Sequence, residues 1–544
     1  MPSVRDVTFN LLRRLGLTVM VGNPGSTEET FLKNFPADFT YIMALQEASV
    51  VAIADGLAQG LRAPVLVNVH TAAGMGNAMG AILTAFLNKT PLILTAGQQT
   101  RAMLLAEPFL TNRDATNLPR PLVKWSYEPA RAQDVPGAFM RAYAMAVQQP
   151  TGPVFLSLPL DDWDQEMDDA DVFRTVSTRL APDPERIAAF AAAIDRSKNP
   201  VLVYGGDITR SNAWAQGIAF AERVDAPVWL GPFCENVPFP EDHALYAGVL
   251  PAAIGPLSHA LAGHDLVVVI GAPVFRYYPW VPGDYLPAGA RLLQVTDNPY
   301  DAAKSVVGDS LISDSGLALE ALTARVRARR RPECPAFDHQ ESEDILRDAK
   351  TPLTAKQVFA VLSQHMPAEY VVVNESPSNM GELGHTRFGT ITRPDSFYTM
   401  ASGALGWGMP AAVGLALAEK RTDRNRPVVA IIGDGSFQYS LQSIWTAVQH
   451  GAHVVFVVLR NAQYGILKAF AMLEETPGVP GLDLPGLDIV SLGRGYGAQA
   501  FRASSAEEIR DGFTRALAAP GVTVLEIPID KTIHKLLSDA SCTP

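Results

Sequence analysis

Three times along this chain, short apolar runs alternate with longer stretches of helix-compatible pattern. Such alternation fits parallel sheets covered by crossover helices, because a strand buried on both faces is apolar throughout. The first set of runs occupies 17–21, 65–69, 92–96 and 154–158. The second occupies 201–204, 266–270 and 292–295; the third begins near Leu353 and takes in 428–432, 454–459 and 522–527. An acidic, irregular stretch at 161–171 and a segment rich in charge and proline at 325–352 separate them. The expected fold class is α/β, with three consecutive doubly wound parallel-sheet domains at 1–165, 182–330 and 350–530. A length of 544 residues exceeds one hydrophobic core and agrees with that division. Ser505 to Glu508 reads as a capping box opening the last helix.

Composition narrows the function classes. With 48% hydrophobic and 18% charged residues the chain is globular, and a net charge of −12 disfavours a nucleic-acid-binding surface. The basic run 325–331 is short and isolated, as at a solvated helix end or linker. Cys234, Cys334 and Cys542 are sparse and odd in number, which suggests neither a disulfide framework nor a zinc cluster. Near the start, Arg5, Asp6, Arg13 and Arg14 interleave with apolar residues at helical spacing, unlike a signal peptide, and no run approaches a membrane span. A soluble, cytoplasmic protein without membrane or nucleic-acid partners is expected.

The chemistry-bearing signal lies in the third set. Gly433-Asp434-Gly435-Ser436 follows the run 428–432, and Asn461 follows the run 454–459. A Gly-Asp-Gly turn at a strand's carboxyl end lets backbone N–H groups approach phosphate, while Asp434 and an Asn carbonyl offer hard oxygen ligands suited to Mg²⁺. Taken alone, Gly-Asp-Gly is also an ordinary turn. Positions 436 to 459, 24 residues, separate Gly435 from Arg460, with Asn461 next and Tyr464-Gly465 beyond. This spacing resembles the signature of thiamine diphosphate (ThDP) enzymes: Gly-Asp-Gly, an interval of this length, then Asn-Asn. Arg460 departs from it at the first Asn, whereas the second, the metal ligand in that family, is present as Asn461.

The three α/β sets, in this order, resemble the pyrimidine-binding, central and diphosphate-binding domains of ThDP-dependent decarboxylases over essentially the whole chain. In the central set there is no Gly-x-Gly-x-x-Gly after a strand; Gly205-Gly206-Asp207 is a weak, turn-like signal for a nucleotide. The resemblance implies a metal set of Asp434, Asn461 and Gln463 holding Mg²⁺, for which Ca²⁺ is an admissible substitute. It places cofactor contacts at Gly433, Gly435, Ser436, Ser378, Tyr464, Gly465 and Ile466, and on the other side at Asn23, Gly25 and Glu47. Glu47, an acid in an otherwise apolar neighbourhood opening a helix, would hydrogen-bond the pyrimidine nitrogen N1′; its plainer reading is a first-turn acid favoured by the helix dipole. Leu405 would bend the cofactor from beneath and Gly403 would offer a carbonyl to its amino group, although the same small residues also suit close helix packing.

Longer segments resemble benzoylformate decarboxylases more specifically: Gly22-Asn23-Pro24-Gly25-Ser26, His70-Thr71-Ala72-Ala73-Gly74, Gly97-Gln98-Gln99-Thr100-Arg101 and Gly271-Ala272-Pro273-Val274-Phe275-Arg276-Tyr277. In that family the residue at Ser26 hydrogen-bonds the substrate carboxylate and the one at His70 manages protons around the reacting carbon. Ser26-Thr27-Glu28-Glu29 is equally a capping-box pattern, and His70 closing the run 65–69 equally a satisfied loop histidine. Tyr278 stands where the family carries a second active-site His, and a phenol is a poor proton shuttle at neutral pH. Pro377 replaces a hydroxyl residue, and Ile466 is larger than the expected Ala, which would narrow a pocket formed with Leu467, Phe470 and Leu110. The resemblance thus implies non-oxidative decarboxylation of an aromatic 2-keto acid to an aldehyde and CO₂, with carboligation to 2-hydroxy ketones if release is slow. A carboligase or lyase with little decarboxylation, and a ThDP-binding protein without chemistry, are the rival readings. The cofactor must touch both first and third domains, which in the family come from two different subunits, so the resemblance implies a homodimer as the minimum unit and a homotetramer as the assembly.

Overall fold

The computed structural model describes residues 1–168, 171–330, 342–347, 349–384, 388 and 390–536. Three six-stranded sheets are present, and their neighbouring strands pair in parallel. The α/β architecture expected from the alternating runs is the one observed. Cys334 and Cys542 lie outside the described residues.

The first sheet orders Thr40–Met43, Val19–Asn23, Val65–Val69, Leu92–Gln98, Val154–Pro159 and Ser126–Tyr127. The third orders Phe397–Thr399, Val371–Glu375, Val428–Gly433, Val454–Arg460, Val522–Pro528 and Gln499–Arg502, the same connectivity. In each, the chain leaves the first strand to one side and returns to pair on its other flank. That reversal opens a crevice at the carboxyl ends, where open α/β sheets bind ligands. Burial explains the composition: Val454 to Leu459 are all buried, each such side chain contributing roughly 1.5–3 kcal/mol.

The central sheet runs Asp309–Ile312, Arg291–Thr296, Leu266–Ile270, Pro200–Tyr204, Val228–Leu230 and Tyr246–Val249. Its own crevice, beyond Gly205-Gly206 and Gly271, is filled by side chains. Lys89, from the first unit, places its ammonium 2.7 Å from both Asp207 and Asp297. Arg210 joins Asp207 to Glu235, and Arg276 reaches Glu235 at 3.2 Å. A Cβ on Gly206 would overlap the Glu235 carboxylate. Burial draws the Lys89 ammonium down, but Asp207 and Asp297 outweigh it and leave the group above the ordinary lysine value.

First and third units pack through two helices, Glu47–Leu61 and Gly408–Arg421. Gly56 lies against the Ala411 carbonyl and Gly414 against that of Ile53, so any side chain at either glycine would overlap backbone. Trp407 seals the contact, its indole N–H donating to buried Asp55 at 2.7 Å.

Candidate active site

Register assembles the third-unit half. Gly433 pairs with Leu459, which sets Asp434 level with Arg460 and next to Asn461. Asp434 is 3% exposed. Its Oδ2 accepts the Ala462 N–H at 2.7 Å and its Oδ1 the Gly435 N–H at 2.9 Å. Burial pushes the Asp434 carboxyl above its usual range, against the pull of those two N–H groups. Ala462 holds a left-handed φ of 56°, an uncommon conformation for a residue with a Cβ, fixed here between the two strand ends. Asn461 Oδ1 accepts the Gln463 N–H at 3.2 Å. Gly465 is in near contact with Ser378 and Asn461, and Gly435 with the Tyr464 ring, so these positions converge on one crevice.

The Gln463 side chain is already engaged, its Oε1 accepting from Lys468 at 2.8 Å and its Nε2 donating to the Lys531 carbonyl, so any contribution to a metal is left to its main-chain carbonyl. Arg460 stands 3.5 Å from Glu526, a wholly buried acid shared with Arg502, and serves the sheet.

Beneath this half lies Glu375, which the sequence reading missed. Its carboxylate accepts N–H groups from Gly406 at 2.6 Å and from Gly408, pinning the loop that carries Gly403 and Leu405. Burial pushes the Glu375 carboxyl up to about 7, opposed by the N–H donors of Gly406, Gly408 and Trp407 and by the Ser436 hydroxyl. Gly403 and Gly406 take φ of 73° and 104°, and the turn between them presents half-buried Leu405. The only hint in sequence was an acid ending the apolar run 371–373.

The other half lies at the crevice of the first sheet. Asn23 pairs with Val69, bringing the loop 24–26 level with His70. Gln46 caps the next helix by accepting from Ala48 and Ser49, which places Glu47 in its first turn. Each Glu47 oxygen meets one amide: Asn23 Nδ2 at 3.2 Å and Asn77 Nδ2 at 3.0 Å. Asn77 was not legible as a partner, because it comes from the helix Thr71–Leu87. Ser26 is exposed, and Glu28 rather than Ser26 directly precedes the short helix Glu29–Leu32, without a side-chain cap bond. The capping-box reading of Ser26 is therefore corrected. His70 Nδ1 lies 2.8 Å from Glu28 Oε2, and its ring covers Gly25, where a Cβ would overlap it.

Of the expected pocket residues, Tyr278 and Phe470 meet, with ring centroids 4.7 Å apart. Ile466 and Phe470 are half-buried and Leu467 is exposed, on the helix Gly465–Leu473. Leu110 sits in a first-unit loop with a φ of 66°, beside exposed Phe109. Among the described residues, no hydrogen bond or ring contact joins Tyr278 to Ser26 or His70. The molecule thus presents two groups: Asn23, Gly25, Ser26, Glu47, His70 and Leu110 on the first unit, and the remainder on the other two.

A single buried carboxylate beside amide and carbonyl oxygens suits a hard divalent cation, and Glu47 offers an acid where a heterocycle could dock. These features fit ThDP and define a thiamine diphosphate enzyme. Matches to family models agree: the N-terminal TPP binding domain of thiamine pyrophosphate enzymes over residues 2–117, their central domain over 187–322 and their C-terminal TPP binding domain over 380–527. The chain is 45% identical to benzoylformate decarboxylase of Pseudomonas aeruginosa, covering 97% of this chain and 99% of that one. Its structure resembles the crystal structure of benzoylformate decarboxylase from Polynucleobacter necessarius, with a TM-score of 0.96, 57% identity, and coverage of 98% and 100%. It also resembles the Rhodococcus jostii RHA1 thiamine diphosphate-dependent 4-hydroxybenzoylformate decarboxylase, with a TM-score of 0.94, 39% identity and the same coverage. The chain belongs to the thiamine diphosphate-dependent 2-keto acid decarboxylase family, of the benzoylformate decarboxylase type, and is a carboxy-lyase.

Proposed function

We propose that this enzyme decarboxylates an aromatic 2-keto acid of the benzoylformate kind, with Mg²⁺ and ThDP, to the aldehyde and CO₂ in the cytoplasm. The observation that carries this reading is the pairing of a metal-competent Asp434–Asn461 turn with a separate acid, Glu47, held by two amides. When bound, ThDP supplies the carbon nucleophile that adds to the keto group and the electron sink that takes the pair left by departing CO₂.

The protein's part is to hold, orient and exchange protons. Asp434 and Asn461, with the Gln463 carbonyl, would hold Mg²⁺ against the diphosphate, whose oxygens would receive the Ser436 N–H, the Gly435 N–H being held by Asp434 Oδ1. Glu47 would hold a proton at N1′ of the pyrimidine, and Gly403 and Leu405 would fix the bend of the cofactor. Ser26, free of a capping role, would donate its hydroxyl to the substrate carboxylate. His70 would return a proton to the reacting carbon, so that keto acid plus one proton yields aldehyde and CO₂. Ile466, Leu467, Phe470 and Leu110 would supply the apolar wall for the ring.

In this reading the two groups of residues work across a dimer, Glu47 of one copy facing the metal turn of a second. Support comes from the Glu47 side-chain bonds, which stay with Asn23 and Asn77, and from Leu105 and Phe109, 99% and 88% exposed on the same unit. Tyr278 favours carboligation as a second activity, because a phenol in place of the expected imidazole slows proton return. The test is a panel of benzoylformate, 4-hydroxybenzoylformate, pyruvate and a branched aliphatic 2-keto acid, with CO₂ and aldehyde followed. Preference for the aromatic acids supports the reading, and no release from either aromatic acid contradicts it.

A further inference from the structure

We propose that Glu28 is a positioning residue that sets the tautomer and orientation of His70. The inference rests on the reading of His70 as the group that moves a proton at the reacting carbon.

Glu28 is 1% exposed, with two crevice loops and a strand end converging on its carboxylate. Oε2 accepts from Gly25 N–H at 2.9 Å and faces His70 Nδ1 at 2.8 Å. Oε1 accepts from Gly97 N–H at 2.6 Å, from the Thr27 hydroxyl at 2.8 Å and from Thr71 N–H at 3.3 Å. An acid surrounded in this way acts only as an acceptor. The neutral imidazole must then carry its hydrogen on Nδ1, which leaves Nε2 as the nitrogen that first takes up a proton and then hands it to the reacting carbon, since the bond made by one ring nitrogen decides the state of the other. Orientation is fixed as well. The ring lies on Gly25, where a side chain would displace it, and Thr27 Oγ1 approaches the same Nδ1 at 3.3 Å. Helix capping does not account for the residue, whose side chain makes no cap bond. A buried carboxylate is costly unless each oxygen is satisfied, and here Glu28 spends one contact on the nitrogen of a crevice histidine.

Glu28→Gln keeps the size and replaces one acceptor by a donor. Facing Nδ1, the amide N–H would require a lone pair there and move the ring hydrogen to Nε2. Two measurements on the ThDP- and Mg²⁺-loaded enzyme test this. The ¹⁵N shifts of His70, assigned by their loss in His70→Ala, should report hydrogen on Nδ1 in the unaltered protein; hydrogen on Nε2 would overturn the proposal whether or not any Glu28 variant folds. In a double-mutant cycle with benzoylformate, Glu28→Gln should lower kcat by roughly 100-fold, yet by less than about 3-fold when His70 is already Ala. Equal losses in both backgrounds would show that Glu28 acts on the fold rather than through His70. An unchanged kcat in His70→Ala alone is a different result: it removes the role of His70, and the proposal with it.

Discussion

Asp434 Oδ2 accepts the backbone N–H of Ala462 at 2.7 Å, so the carboxylate suited to a metal also ties together the ends of two neighbouring strands. Removing the side chain should cost twice, in cation charge and in the placement of Asn461. Asp434→Ala should weaken Mg²⁺-supported ThDP binding by roughly 100-fold, and Asp434→Asn by less, because an amide oxygen still reaches one N–H. Calorimetric titration of ThDP at fixed Mg²⁺ measures both.

Tyr278 contacts Phe470 and is 57% exposed. Tyr278→His would place a titrating ring at the wall of the pocket. The ratio of free aldehyde to 2-hydroxy ketone should rise several-fold when product is analysed with excess acceptor aldehyde, and an unchanged ratio would remove Tyr278 from the proton path.

Lys89 lies buried between two carboxylates of the central unit. Lys89→Met would leave Asp207 and Asp297 facing each other without their shared cation, at a cost of about 3–5 kcal/mol. Chemical denaturation should show that loss, with the interface between first and central units as the weakened part.

Burial pushes the Glu241 carboxyl up to about 7 from 4.5, against N–H donation from Ile391 and the Tyr246 hydroxyl, and Glu375 is pushed to the same value. Between 4.5 and 7 the folded protein therefore binds more protons than the unfolded chain, so these groups favour folding at the lower pH and lose that contribution as pH rises through the window. Glu241→Gln should flatten the fall in the denaturation midpoint between pH 5 and 7, and an unaltered slope would contradict the assignment.

The sheets were legible because strands buried on both faces are apolar throughout, and the turn at Asp434 because its glycines stand at a strand's end. What escaped was long-range. Glu28 read as part of a capping box until its carboxylate met His70, 42 positions on. Asn77 and Glu375 gained meaning only when helix and loop brought them to Glu47 and Gly406. The ion network around Lys89 spans 208 positions to Asp297 and leaves no local pattern.

The account turns on Glu47 activating a bound thiamine. Exchange of the thiazolium C2 proton for deuterium, followed by rapid quench and NMR, tests it most directly. The enzyme should accelerate exchange strongly over free ThDP, and Glu47→Gln should lose most of that acceleration while still binding the cofactor. Exchange at the free-solution rate on the unaltered protein, or equal rates in protein and variant, would contradict it.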